Sequence, residues 1–340
     1  MRAQEDSALE ELLERFARRE PRALARSLSW VEDQRPGFEH LLHAIHGDLG
    51  GAYRIGFTGP PGAGKSTLTE RYALVCRARG ETVGILAVDP SSPYTGGALL
   101  GDRIRMRSLA LDEGVFIRSM ASRGRLGGLA TTSLEAADLL EAFGFDVVIH
   151  ETVGVGQTER DIVSAADTTV VVLVPESGDA IQAMKAGLME IADVFVVNKA
   201  DRPGADQLER AIRSTLALKA KRGDAWKPPI VRTVATEGTG LDDLSAAIAS
   251  HRAHGEATGG LEAKRRARAA DRIRDLVARR LERLVWHGKG GEGRLEAALA
   301  GIERGEETPY SAAAAILDAA GLGDAAQGGG NDSGRKAKGE

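Results

Sequence analysis

Apolar positions follow three regimes along the chain. Over residues 1–48 they recur at helical spacing. Leu9, Leu12, Leu13 and Phe16 make one stripe, and Phe38, Leu41, Leu42 and Ile45 make a second beyond the Arg35-Pro36-Gly37 break. Over 52–250 the pattern changes to short apolar runs rich in β-branched residues, at 53–57, 83–88, 115–117, 147–149, 169–174, 194–197 and 230–234, with helix-like stretches between them. Most of these runs are continuous rather than alternating, as strands buried on both faces of a parallel sheet require. Over 256–320 the helical period returns, with Ile273, Leu276, Val277, Leu281, Leu284 and Val285 on one stripe.

These patterns predict an α/β fold, a doubly wound and mostly parallel sheet with helical extensions at both ends. The Gly50-Gly51 pair marks the first boundary. The expected organisation is an N-terminal helical extension at 1–48, a central domain at 49–255, a C-terminal helical region at 256–321 and a tail at 322–340. The tail is rich in Gly, polar and charged residues, a composition that predicts disorder.

Composition narrows the class. The chain has 340 residues, of which 42% are hydrophobic, enough for a packed α/β core. No apolar run approaches the roughly 18–20 residues that span a bilayer. The first twenty residues are charged and lack the apolar centre and cleavage site of a signal peptide. Cys76 is the single cysteine, so no intrachain disulfide and no cysteine metal cluster can form. The expectation is a cytoplasmic protein with no membrane partner. A net charge of −4 gives no support for a nucleic-acid partner. The arginine-rich stretch 264–286 is interrupted by Asp271, Asp275 and Glu282 and lacks interleaved aromatics, so it is expected to pack or dimerise through its apolar stripe.

The chemistry concentrates at the ends of the strand-like runs. Gly59-Pro60-Pro61-Gly62-Ala63-Gly64-Lys65-Ser66-Thr67 fits G-x-x-x-x-G-K-[ST], after an expected strand and before an expected helix. Glycines there let backbone N–H groups turn inward around phosphate oxygens, and the helix N-terminus adds its partial positive charge. Lys65 is expected to reach the β- and γ-phosphates and the Ser66 hydroxyl to ligate Mg²⁺. Asn198-Lys199-Ala200-Asp201 follows the run 194–197. A carboxylate at this place accepts from both N1–H and the 2-amino group of guanine, a donor pair that adenine lacks. The nucleotide expected is therefore GTP, with GDP as product. The segment Thr233-Val234-Ala235-Thr236 resembles the last GTPase motif, where the Ala235 N–H would meet guanine O6.

Two acidic places complete the set. Glu151-Thr152-Val153-Gly154 stands where GTPases carry D-x-x-G: Glu151 is a candidate for holding Mg²⁺, directly or through water, and the Gly154 N–H for bonding the γ-phosphate. Asp89, in Asp89-Pro90-Ser91-Ser92-Pro93, and Asp102 could enter the Mg²⁺ shell; the loop that carries them reads equally as a nucleotide-sensing switch or as a plain loop. Val155 stands where many GTPases have a water-positioning Gln, so hydrolysis by the chain alone is expected to be slow. His150, beside Glu151, reads as a packed or partly exposed side chain rather than a ligand.

Taken together, GPPGAGKST (59–67), VDPSSPYTGGALLGDRIRM (88–106), RSMASRGRLGGLATT (118–132), ETVGVGQTE (151–159), VPESGDAIQAMKAG (174–187) and NKAD (198–201) resemble the methylmalonyl-CoA mutase-associated GTPases of the MeaB/ArgK type. Arg125 and His150 depart from the residues expected at their places. The resemblance implies a P-loop GTPase sheet and a GTPase chaperone that gates cofactor loading of an adenosylcobalamin-dependent acyl-CoA mutase and protects it. It implies a homodimer formed through the C-terminal helices. It also places switch segments at 89–106, 154–164 and 177–188, with Gln182 and Lys185 as candidates for relaying nucleotide state. Lys185, between Gly178 and Gly187, is a further candidate for stabilising charge at the γ-phosphate. Three other readings stay open: a nickel-insertion metallochaperone GTPase, an ATP-dependent small-molecule kinase, and a scaffold for which nucleotide is only structural.

Overall fold

The computed structural model describes residues 2–90, 106–122, 128–152, 165–175, 188–219, 226–286 and 290–323. The seven apolar runs become seven strands: β1 (Tyr53–Thr58), β2 (Val83–Pro90), β3 (Val115–Ser122), β4 (Val147–Thr152), β5 (Thr168–Leu173), β6 (Val194–Asn198) and β7 (Ile230–Thr233). They form one sheet in the order β3-β2-β4-β1-β5-β6-β7, with every pair parallel. Parallel neighbours must be joined by crossovers, which places helices on both faces.

The chain divides into two units, Met1–Arg268 and Ala269–Glu340. In the first, the N-terminal helices share one body with the sheet. Helices α1 (Arg2–Ala17), α2 (Pro21–Glu32) and α3 (Phe38–Ala44) pack with α5 (Gly128–Phe143) over Leu86, Met120 and Val148. Leu12, Leu24, Leu28 and Leu41 are completely buried there, each contributing about 1.5–3 kcal/mol. On the same face, α6 (Leu188–Ile191) and α7 (Ala205–Lys219) cover Val171, Leu173, Phe195 and Val197. The opposite face, led by Tyr53, Ile55 and Phe57, lies under α4 (Lys65–Ala78) and α8 (Leu241–Thr258).

Strand β3 runs five residues past the apolar run 115–117, because it pairs with β2 from Val83↔Val115 to Pro90↔Ser122. A backbone ladder needs no apolar side chain to continue. Arg118, in that extension, bonds Glu32 of α2 (3.1 Å). Val234 falls outside β7 and instead bridges Thr239.

A buried ionic group lies at the N-terminal end of the sheet. Arg54 of β1 bonds Asp138 (2.7 Å) and Glu141 (3.1 Å) of α5. Asp167, just before β5, accepts from the Arg54 N–H (3.1 Å) and from Arg265 (2.7 Å) and Arg268. Both arginines belong to α9 (Gly260–Trp286), which begins in the first unit and runs on into the second. Burial pushes the Asp167 carboxyl up, but the hydrogen bonds and charges of Arg265 and Arg268 outweigh it and hold the group below the usual carboxylate range.

In the second unit, α10 (Gly291–Glu303) and α11 (Pro309–Ala319) bury Ala298, Gly301, Ala312 and Ile316. Thr308 caps α11 with a reciprocal pair to Ser311. Ile273, Leu276, Val277, Leu281 and Leu284 of α9 are exposed in the single chain. The tail expected from 322 onward lies outside the described residues after 323. Among the described residues, no helix is long and apolar enough to cross a membrane.

Candidate functional site

The phosphate loop leaves the carboxyl end of β1, where open α/β sheets bind ligands. Two glycines are required by their surroundings. Gly59 has φ 141°, and a Cβ there would stand 2.1 Å from the Val172 carbonyl oxygen of β5. Gly64 has φ 85°, and a Cβ there would stand 2.5 Å from Asn198 Nδ2. Pro60, Pro61, Gly62 and Ala63 complete the turn, and α4 starts at Lys65, so Lys65, Ser66 and Thr67 form its first turn. Backbone N–H groups at that position have no intrahelical acceptor, which makes them an anion site.

Lys65 is buried, and its Nζ donates to the Gly59 and Pro60 carbonyls at 2.9 and 3.0 Å. The cation thus folds over the loop whose phosphates it is expected to meet. Ser66 Oγ donates to Glu151 Oε1. This brings together two candidate Mg²⁺ ligands 85 residues apart, and Glu151 is buried near the end of β4. A hydroxyl and a carboxylate converging beside an anion-binding turn form the hard oxygen set that Mg²⁺ prefers.

The base-reading motif follows β6. Asn198 is buried and bonds three ways: Nδ2 donates to the Ala63 carbonyl (2.8 Å), while Oδ1 accepts from Thr233 Oγ1 (3.0 Å) and from the Ala235 N–H (3.2 Å). It therefore ties the phosphate loop to the loop after β7. Lys199 adopts φ 55°, and the turn leaves Asp201 exposed. The Ala235 N–H, expected at guanine O6, is engaged by Asn198 in this structure.

His150 is fully buried beside Glu151, with Nδ1 3.2 Å from Ser133 Oγ. Burial, with the positive charges of Arg54 and Arg268, lowers its pKa to about 3, so it is a neutral packed side chain. Asp89 is the penultimate residue of β2. Asp102, Arg125, Gly154, Val155, Gln182 and Lys185 lie outside the described residues. Sequence reasoning missed Thr233 as a partner of Asn198; a threonine at a strand end carries no local signal for that role.

A family model described as methylmalonyl-CoA mutase-associated GTPase MeaB matches residues 24–290. The chain belongs to this MeaB family of GTPases. A Pyrococcus abyssi protein with a provisional GTPase name is 46% identical over 91% of this chain and 96% of its own. The Escherichia coli GTPase ArgK is 38% identical over 79% of this chain and 83% of its own. The mouse mitochondrial methylmalonic aciduria type A homolog is 38% identical over 63% of this chain and 52% of its own. Among solved structures, an LAO/AO transport system kinase superposes with TM-score 0.70 at 28% identity, covering 92% of this chain and 97% of its own. As a MeaB-family member the chain is a GTPase.

Proposed function

We propose that this GTPase is a chaperone of an adenosylcobalamin-dependent acyl-CoA mutase, coupling GTP binding and hydrolysis to cofactor loading and protection of the mutase. The observation that carries the reading is the match to a mutase-associated family across residues 24–290, which takes in the whole candidate nucleotide site as well as most of α2 and all of α3 and α9. Asp201 selects guanine, and Asn198 and Ala235 frame the base. Gly59 to Thr67, with the Gly154 N–H, hold the phosphates. Ser66 and Glu151 would hold Mg²⁺, with Asp89 and Asp102 as further ligands, and the ion would spread charge developing on the β- and γ-phosphate oxygens. Lys65 neutralises the same oxygens. Lys185 is proposed as the cation that the partner brings toward the γ-phosphate. The exposed stripe Ile273, Leu276, Val277, Leu281 and Leu284 suits a homodimer through α9, in the cytoplasm.

The test is GTP turnover by the full chain with and without a cobalamin-dependent mutase. The partner is expected to raise turnover at least tenfold, about 1.4 kcal/mol of barrier. Lys65→Ala is expected to abolish turnover in both arms while circular dichroism stays unchanged. A partner that binds without changing turnover would remove the coupling, and turnover by Lys65→Ala would show the phosphate loop misassigned.

A further inference from the structure

Helix α4 does more than present its N-terminus to phosphate. Six residues beyond Lys65, about 9 Å along the axis, Arg71 donates from Nη2 to the Thr236 carbonyl at 3.0 Å. Thr236 directly follows Ala235 in the loop after β7. That loop is held on its inner side by Asn198, which accepts from Thr233 Oγ1 and the Ala235 N–H. It closes on itself through the Val234 N–H to the Thr239 carbonyl (3.1 Å) and the Glu237 N–H to the Val234 carbonyl (3.0 Å). Its outer side has no apolar packing to fix it, since Thr236, Glu237 and Thr239 are exposed. Arg71 supplies a tether there, from the same rigid helix whose first turn receives the phosphates.

We infer that Arg71 is a positioning residue for guanine recognition, holding the 234–239 loop so that the Ala235 N–H, which donates to Asn198 Oδ1 here, is presented to O6 once the base arrives. The inference rests on the guanine reading above. A backbone N–H discriminates an acceptor only if it is held to within a few tenths of an ångström, because hydrogen bonds weaken steeply with distance and angle. Asn198 sets the loop's depth, and Arg71 sets its swing about that anchor. Arg71 lies six residues past Lys65, the first residue of α4, and is bonded to the Thr236 carbonyl, so its effect belongs to binding rather than to the chemical step.

The experiment measures KM and kcat of the full chain with GTP, 6-thio-GTP, ITP and ATP. In 6-thio-GTP a weakly accepting sulfur replaces O6, while ITP keeps O6 but lacks the 2-amino group that Asp201 reads. Arg71→Met keeps the apolar stem and removes the donor. It is expected to raise KM for GTP about three- to tenfold, with kcat held within about twofold. The preference for GTP over 6-thio-GTP should shrink by a similar factor, and the preference over ITP should stay as in the wild type. Arg71→Lys, which restores a donor, is expected to recover most of the loss. A wild-type KM in Arg71→Met, or an equal fall in both preferences, would overturn the inference while leaving guanine recognition standing. A wild type that does not prefer GTP over ATP would overturn both.

Discussion

Asp201 stands exposed on a turn fixed by the left-handed Lys199 and by the buried Asn198 before it, so its carboxylate is presented without being spent on the protein. Hydrogen bonds to a charged group are worth about 1.5–3 kcal/mol each, so losing both to guanine weakens GTP at least tenfold. Asp201→Asn is expected to show that loss in equilibrium nucleotide titration and to bind xanthosine triphosphate better than the wild type, because an amide offers a donor where xanthine has an acceptor. Asn198 is a different kind of residue. Its three bonds are internal, and truncation strands the Ala63 carbonyl, the Thr233 hydroxyl and the Ala235 N–H in a buried place. Asn198→Ala is expected to cost about 2–4 kcal/mol of stability, read as a lower urea midpoint, as well as nucleotide affinity. Loss of affinity at full stability would mean that Asn198 acts only on the ligand.

At the scale of elements, α9 is secured to the sheet mainly by charge, since none of its residues is buried and only Leu261 packs, half-buried, against the core. Lys264, Arg265 and Arg268 bond the Asp167 carbonyl, the Asp167 carboxylate and the Ala52 and Ala165 carbonyls. Asp167→Asn leaves these arginines without their anion and is expected to cost about 3–5 kcal/mol at neutral pH. The sign of the pH dependence follows from the lowered folded pKa. The stabilisation is fully present above the unfolded value of about 4 and is lost as pH falls through the lower folded value. Urea titrations from pH 7 down to pH 2.5 should therefore show the gap between wild type and Asp167→Asn closing only in the acid range. A gap that stays constant would mean that Asp167 acts through shape and not through charge.

At the scale of the whole molecule, the α9 stripe is a run of exposed apolar side chains on one helix that a single chain leaves uncovered. Five large aliphatic side chains, Ile273, Leu276, Val277, Leu281 and Leu284, are each at least 40% exposed, more than a stable monomer commonly leaves on one helix. Leu276→Glu combined with Leu284→Glu places charge in that stripe. The pair is expected to halve the mass seen by light scattering while GTP turnover per chain stays within about twofold, since the nucleotide site lies wholly in the first unit. A wild type that already runs as a monomer would reject the dimer.

The sequence by itself determined the strands and pointed to the residues proposed for phosphate and base chemistry, because the patterns that mark them are local. A turn that points N–H groups inward needs glycine at Gly59 and Gly64, and a strand buried on both faces needs an unbroken apolar run. All seven strands were legible on those grounds, and so was the turn that carries Lys65 and Ser66 into α4. The long reach of β3 was not, because ladder pairing with β2 carries Arg118 and Ser119 where no apolar pattern marks them. Nor was α2, whose buried set mixes Ala23 and Ser27 with Leu24, Leu28 and Val31 and so blurs the stripe. Only the tertiary structure decided the strand order, the meeting of Ser66 with Glu151, and the reach of Asn198 to Ala63 across 135 residues. Each of these depends on which crossover packs where. Packing is a sum of many weak contacts between distant segments, so no single stretch of the chain encodes it.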